Sequence, residues 1–153
     1  MLIRFLSWWS IKLLIRLRFP GVRHLSTADL ATWLSARDKS KPLLLDARTP
    51  EEYRVSHLRN AILVPQNLDD FVKEVDYSTP IVVYCSVGYR SSAVSSHLDR
   101  LGYKNVFNLS GSIFEWVNEN RSVYRGEKLV NVVHPYHKFW QHLLVEPHSR
   151  SQF

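Results

Sequence analysis

One cysteine, one methionine and five glycines are all that this chain of 153 residues has of those types. A lone cysteine excludes an internal disulfide and any cysteine-rich zinc site. It suits a reducing compartment, so a cytoplasmic location is the expectation. Long apolar runs are missing too. Within the N-terminal segment the longest uncharged stretch, Phe5 to Ile11, falls far short of the roughly 20 residues that span a bilayer. Charges at Arg4, Lys12, Arg16 and Arg18 interrupt that segment, and no small-residue cleavage site follows, which argues against a secretory signal. Acidic residues are absent from the first 24 positions, where five basic residues stand. Residues 25–120 carry ten basic and twelve acidic residues, and residues 121–153 five and two, so the net charge of +6 belongs to the extensions. No basic stripe interleaved with aromatics crosses the middle of the chain, and nucleic-acid binding is not expected. Internal repeats and low-complexity stretches are absent as well.

The single cysteine stands at a chemically informative place. Ile81-Val82-Val83-Tyr84 is a β-branched and aromatic run that reads as a buried strand, and it ends at Cys85. A short loop follows, Ser86-Val87-Gly88-Tyr89-Arg90. From Ser91 onward Ala93, Val94, His97, Leu98 and Leu101 recur at helical spacing until Gly102 stops the pattern. Strand, loop and helix in that order turn the loop amides inward at the positive end of a helix dipole, where a thiolate is favoured over a thiol. A buried structural thiol is the commoner fate of a lone cysteine, but such a thiol has no need of a glycine and an arginine beside it.

Other segments supply a frame for this loop. Ser26-Thr27-Ala28-Asp29 reads as an N-cap with an acidic third residue, opening a helix that buries Leu30, Trp33 and Leu34. Leu43-Leu44-Leu45 is a continuous apolar run ending at Asp46, the pattern of a strand buried on both faces. Asp69 to Val75 predicts a short helix, Val106 to Leu109 a strand, and Ile113, Trp116 and Val117 the stripe of a further helix. This alternation predicts an α/β fold with a mainly parallel central sheet flanked by helices. Asp46 and Cys85 then meet at the carboxyl ends of their strands.

Three ordered stretches resemble the rhodanese family of sulfurtransferases. Cys85, Gly88 and Arg90 match its Cys-x-x-Gly-x-Arg loop. Asp46-Ala47-Arg48-Thr49-Pro50-Glu51-Glu52-Tyr53, with His57-Leu58 and Ala61, is similar to its Asp-x-Arg…Glu-Tyr…Gly-His-Ile…Ala stretch, except that Ser56 stands where Gly is usual. Ser110-Gly111-Ser112-Ile113-Phe114-Glu115-Trp116 is similar to its Gly-Gly-x-x-x-x-Trp, with Ser110 in place of the first glycine. The resemblance covers roughly residues 25–120. It implies a rhodanese-like fold and a catalytic Cys85 that carries sulfur as a persulfide, cradled by the loop residues Ser86, Val87, Gly88, Tyr89, Arg90 and Ser91. Asp46 and Arg48 read as buried scaffold charges. His57 reads as a general base or, in preference, as a hydrogen-bonding residue that fixes its loop. No cofactor and no metal are expected. The implied partners are a small sulfur donor, thiosulfate or a persulfide, and a thiol or cyanide-like acceptor or a protein acceptor. Ser86 follows the cysteine where some members carry Arg or Lys, which weakens thiosulfate as a donor. The alternatives are a non-catalytic or sulfur-relay interaction module and, within the superfamily, a phosphatase or arsenate reductase. Those last relatives place five residues between Cys and Arg; here there are four.

The extensions divide the chain into 1–24, 25–120 and 121–153. Residues 1–19 predict a helix ended by Pro20-Gly21. On a helical wheel Leu2, Leu6, Trp9, Leu13 and Leu17 share one half, and the four basic residues the other, where Trp8, Ile11 and Ile15 intrude. The leucine face is expected to pack on the chain's own fold, against Phe139, Trp140 and Leu143, or on the second subunit of a homodimer. Peripheral contact with an anionic membrane is the alternative. Beyond Arg121, Lys128 to Val133 predicts an added edge strand, and His134 to Leu144 a turn and a short aromatic helix. His134, His137, His142 and His148 sit at spacings that suit a metal, but no carboxylate or thiol accompanies them, and packing is the preferred reading.

Overall fold

In the computed structural model, residues 2–145 are described. They build an α/β fold around a five-stranded parallel sheet. The chain opens with α1 (Leu2–Arg18), followed by β1 (His24–Leu25) and α2 (Thr27–Ser35). Next come β2 (Leu43–Asp46), α3 (Pro50–Val55), β3 (Ile62–Leu63) and α4 (Leu68–Lys73). The reactive stretch follows as β4 (Ile81–Tyr84) and α5 (Tyr89–Arg100), then β5 (Val106–Leu109) and α6 (Ser112–Asn118). A two-stranded ribbon, β6 (Val123–Arg125) and β7 (Lys128–Val130), and a 3-10 helix over Lys138–Leu143 close the described chain.

Strand order in the sheet is β1-β5-β4-β2-β3, with every pairing parallel. β4 is central, and all four of its side chains are buried. Successive side chains of a strand point to opposite faces. Val82 and Tyr84 therefore join Leu30, Leu44, Leu109 and Phe114 in one apolar layer, under α2 and α6. Ile81 and Val83 join Leu45, Val72, Leu98 and Val106 in the other, under α4 and α5. Helices on both faces explain why β2 and β4 lack hydrophobic alternation.

Local chemistry sets the boundaries. The Ser26 hydroxyl accepts from the Asp29 amide at 3.0 Å and opens α2. Thr49 and Glu52 form a reciprocal capping box at the start of α3. α5 closes in a Schellman motif: Gly102, at φ 102°, lets Tyr103 N–H reach the Leu98 carbonyl at 3.1 Å.

Several expectations are corrected. In α1 the leucine face is the outer one: Leu17 is 71% exposed and Leu2 70%, whereas Ile15 is 3% exposed. Trp8, Ile11 and Ile15, the supposed intruders, are the residues that pack on the fold. The reason is that the domain surface beside the cysteine accepts a narrow ridge of one residue per turn, leaving the broader leucine stripe outside. In α5 the buried positions include Ser91, Ser92 and Ser95, while Ala93 is exposed. The Ser91 and Ser92 hydroxyls have acceptors nearby, Asn108 Oδ1 at 2.6 Å and the Gly88 carbonyl at 2.7 Å, so polarity misled the helical pattern. β7 is not an added edge of the main sheet; it pairs antiparallel with β6. His148 lies outside the described residues, and no cluster of metal-ligating side chains occurs among those described.

Candidate active site around Cys85

Cys85 leaves the carboxyl end of β4, and Gly88, at φ 113°, turns the chain into α5. This left-handed conformation favours glycine, and it directs the Gly88 amide at Cys85 Sγ, 3.1 Å away. The backbone of Cys85 is fixed from across the fold. Its N–H donates to Ser112 Oγ at 3.1 Å, and its carbonyl accepts from Ile113 N–H at 3.1 Å. Ser112 in turn donates to the Leu109 carbonyl at 3.0 Å and holds a positive φ of 51° unusual for its type. Gly111 before it has no alternative, since a β-carbon there would fall 1.7 Å from Glu115 Oε2.

A second set of bonds surrounds the sulfur. Ser91 Oγ lies 3.4 Å from Sγ and 2.6 Å from Asn108 Oδ1. Asn108 Nδ2 lies 3.1 Å from His24 Nδ1, which assigns its amide oxygen to Ser91. A hydroxyl has one proton to give. With Cys85 as a thiol, Ser91 gives that proton to Asn108 and can accept S–H; with a thiolate, Ser91 must turn its proton to sulfur. Burial, and then the charge of Arg16, lower the His24 pKa, so its imidazole is held neutral.

Arg90 closes the loop through a carboxylate. Its Nη1 and Nη2 bond Glu52 Oε2 and Oε1 at 2.7 and 2.9 Å, a bidentate pair, and Nη2 also reaches Ser86 Oγ at 2.9 Å. Glu52 further accepts from Ser86 Oγ at 2.9 Å and from Thr49 N–H at 3.0 Å. Burial alone would raise its pKa, but the Arg90 and Thr49 hydrogen bonds, with the charges of Arg90 and Arg48, outweigh it and hold the carboxyl at about 2. The Arg90 Cζ also lies 4.4 Å from the Tyr136 ring centroid.

Asp46 and Arg48 form a fully buried ion pair at 2.7 Å, and Arg48 Nη2 also bonds the Ser56 carbonyl at 2.6 Å. They brace the turn after β2 and do not reach the sulfur. His57 Nδ1 lies 2.8 Å from the Leu58 carbonyl, which makes it the protonated nitrogen, while Nε2 accepts from Gly126 N–H at 3.3 Å. Its ring stacks on Tyr53 at 4.2 Å, and it lines a different pocket from the cysteine.

Cys85 itself is 1% exposed. It lies at the base of a cavity of about 250 Å³ walled by Ile11, Leu14 and Ile15 of α1, by Val87 and Tyr89 of the loop, and by Tyr136 and Trp140. Arg90 is the one charged residue of that lining. Of the loop residues expected from the sequence, Ser86, Val87, Tyr89 and Arg90 line the cavity, and Gly88 and Ser91 contact the sulfur directly. Glu52, Asn108 and Ser112 were not singled out as site residues: Glu52 stood only as the Glu of the Glu-Tyr stretch and Ser112 only within the stretch that ends at Trp116, while the Thr49-x-x-Glu52 spacing signals no more than a helix start. The participation of α1 in the cavity wall was equally unforeseen.

Residues 30–119 match the profile of the rhodanese-like domain. Among curated proteins, a tRNA uridine(34) hydroxylase of Hamiltonella defensa is 30% identical over 129 residues, covering 72% of this chain and 36% of that protein. This chain thus spans about a third of the length of that relative. A putative mitochondrial thiosulfate sulfurtransferase of Schizosaccharomyces pombe is 33% identical over 99 residues, covering 56% of this chain and 69% of the relative. Among solved structures, a rhodanese-related protein from Thermoplasma volcanium superposes with a TM-score of 0.58 at 29% identity, covering 67% of this chain and 98% of the other.

Proposed function

Since the chain belongs to the rhodanese-like family, we propose that it is a sulfurtransferase in which Cys85 carries the transferred sulfur. The observation that supports this most is the placement of Sγ at the base of a cavity, with the Gly88 amide at 3.1 Å and the Ser91 hydroxyl at 3.4 Å. The Cys85 thiolate attacks the outer sulfur of a donor, thiosulfate or a persulfide. A new S–S bond forms, the donor's own bond to that sulfur breaks, and the donor departs with the electron pair as sulfite or thiolate. An acceptor thiolate or cyanide then attacks the outer sulfur and restores the Cys85 thiolate, so no external oxidant or reductant is consumed. The loop amides and Ser91 stabilise the anionic persulfide, and Arg90 adds positive charge at the cavity wall.

The apolar walls favour a donor or acceptor with an apolar body over free thiosulfate, in line with the absence of a basic residue after Cys85. The phosphatase alternative is disfavoured on two counts. Four residues separate Cys85 from Arg90, and both terminal nitrogens of Arg90 are engaged by Glu52, leaving no open fork for a tetrahedral oxyanion. The tRNA-directed activity in the name of the H. defensa relative belongs to a protein of which this chain matches 36%. What the two share is best read as the cysteine-bearing domain.

Incubation with a cysteine-derived persulfide donor is expected to add the mass of one sulfur to the protein, and Cys85→Ser to abolish the adduct. A chain that acquires no sulfur from any donor, while hydrolysing aryl phosphates, would overturn the assignment. Failure with every donor and no hydrolysis would instead leave the non-catalytic interaction module as the reading.

A further inference from the structure

The outer face of α1 is largely open among the described residues. Leu2, Phe5, Leu6, Trp9, Leu13 and Leu17 stand along it, between 40% and 71% exposed. Single exposed leucines are ordinary; a contiguous apolar face along a whole helix is a surface built for contact. We infer that this face is seated on an anionic lipid surface, with α1 lying in the plane of the interface. The inference is independent of the sulfur chemistry.

Charge selects the occupant. α1 carries Arg4, Lys12, Arg16 and Arg18 and no acid. Lys12 is paired with Glu115, but Arg16 and Arg18 are exposed and make no ion pair among the described residues. A second copy of the chain offers the exposed Arg16 and Arg18 no counter-charge, because a two-fold contact presents the same acid-free helix again. An anionic headgroup layer suits the helix as a whole: the leucines enter the acyl boundary, and the long exposed side chains of Arg16 and Arg18, on the other half of the helix, extend to phosphates at headgroup level. Trp9 stands where its indole reaches headgroup level. The helix of 17 residues is about 25 Å long, and no helix among the described residues is long and apolar enough to cross a membrane, so the contact is one of lying on, not spanning.

The face is also continuous with the site. Ile3 and Leu6 share a groove with Phe139, itself 68% exposed, and Leu14 belongs both to the exposed side of α1 and to the wall of the Cys85 cavity. Docking therefore brings the cavity mouth to the edge of the lipid, whereas contact through the far side of the domain would leave it in water.

The test is flotation of the full chain with vesicles of phosphatidylcholine and phosphatidylglycerol, against vesicles of phosphatidylcholine alone. Binding to the anionic vesicles is expected to be about tenfold or more stronger and to weaken as salt is raised. Two variants accompany it. Leu13→Ser/Leu17→Ser removes exposed apolar side chains and Arg18→Glu reverses an exposed charge; none of these residues lines the Cys85 cavity. Both are expected to lose flotation while keeping the thermal midpoint and the sulfur loading of the parent. Absence of flotation, equal binding to neutral vesicles, or flotation that survives Leu13→Ser/Leu17→Ser overturns the proposal. A concentration-dependent dimer that these serines dissolve, without flotation, would assign the face to a second copy.

Discussion

The floor and the roof of the Cys85 cavity are made in different ways. The floor is a mesh of polar bonds drawn from distant parts of the chain: Glu52 from α3, Asn108 from β5 and Ser112 from α6 all converge on a six-residue loop. The roof is α1, held by Ile15, two half-buried side chains and one ion pair between Lys12 and Glu115. A polar mesh tolerates little, since each lost partner leaves a buried group unsatisfied. Apolar contact over one ridge is graded, and its loss is proportional to the area uncovered. The loop is therefore the part whose geometry is specified most narrowly, and the helix the part whose position is free to be tuned.

The comparison breaks most sharply at Glu52. Glu52→Ala strands Arg90 and Ser86 together and is expected to destabilise by about 3 kcal/mol in denaturant unfolding, with loss of persulfide loading. The same carboxyl gives the site its acid sensitivity. Its folded pKa of about 2 lies below the ordinary value of 4.5, so its contribution is complete above about pH 4.5 and disappears as pH falls toward 2. The stability difference between the parent and Glu52→Gln is accordingly expected to be constant from neutral pH down to about 5, then to shrink. A difference that grows on acidification would contradict the assignment.

Ile15→Ala tests the roof at its most buried contact. A loss of about 2–3 kcal/mol is expected, with Cys85 becoming more reactive to alkylating reagents. Ser112→Ala orphans the Cys85 N–H and the Leu109 carbonyl and should cost about 1–2 kcal/mol. Its signature is slower sulfur loading at unchanged fold, because the Cys85 backbone is freed. Lys12→Ala removes an ion pair whose partners are about a third exposed, and less than about 1 kcal/mol is expected. If Lys12→Ala exceeded Glu52→Ala, the contrast between floor and roof would be wrong.

What could be read from the sequence was whatever is encoded locally. The apolar runs ending at Asp46 and Tyr84, the Ser26 cap and the glycine at 102 state their structure within a few neighbouring residues, and the sheet followed from their alternation. The loop from Cys85 to Ser91 was equally legible. Glu52 stood in a matched stretch, but its role was not legible, because its partner Arg90 lies 38 positions away and nothing at either site names the other. Ser112 and Asn108 look like ordinary polar residues until the fold brings them to the sulfur. α1 failed differently. Its wheel correctly shows two faces, but hydrophobicity alone cannot say which one the domain will accept, and the narrower ridge of Trp8, Ile11 and Ile15 fits where the leucines do not. The serine-lined side of α5 shows the converse, a buried polar face on which the Ser91 and Ser92 hydroxyls find acceptors.

The cavity above Cys85 has one further consequence. At about 250 Å³ it is smaller than the 300–1,000 Å³ typical of small-molecule pockets, and Cys85 beneath it is 1% exposed. Access is thus a matter of girth. A slender thiol or a single extended chain can slip between α1 and Tyr136 to reach the sulfur, whereas a cysteine flanked by the bulk of a folded partner is stopped at the rim unless α1 lifts. The helix acts as a sieve whose mesh is set by Ile11, Leu14 and Ile15, so the range of molecules that can reach Cys85 is decided outside the reactive loop.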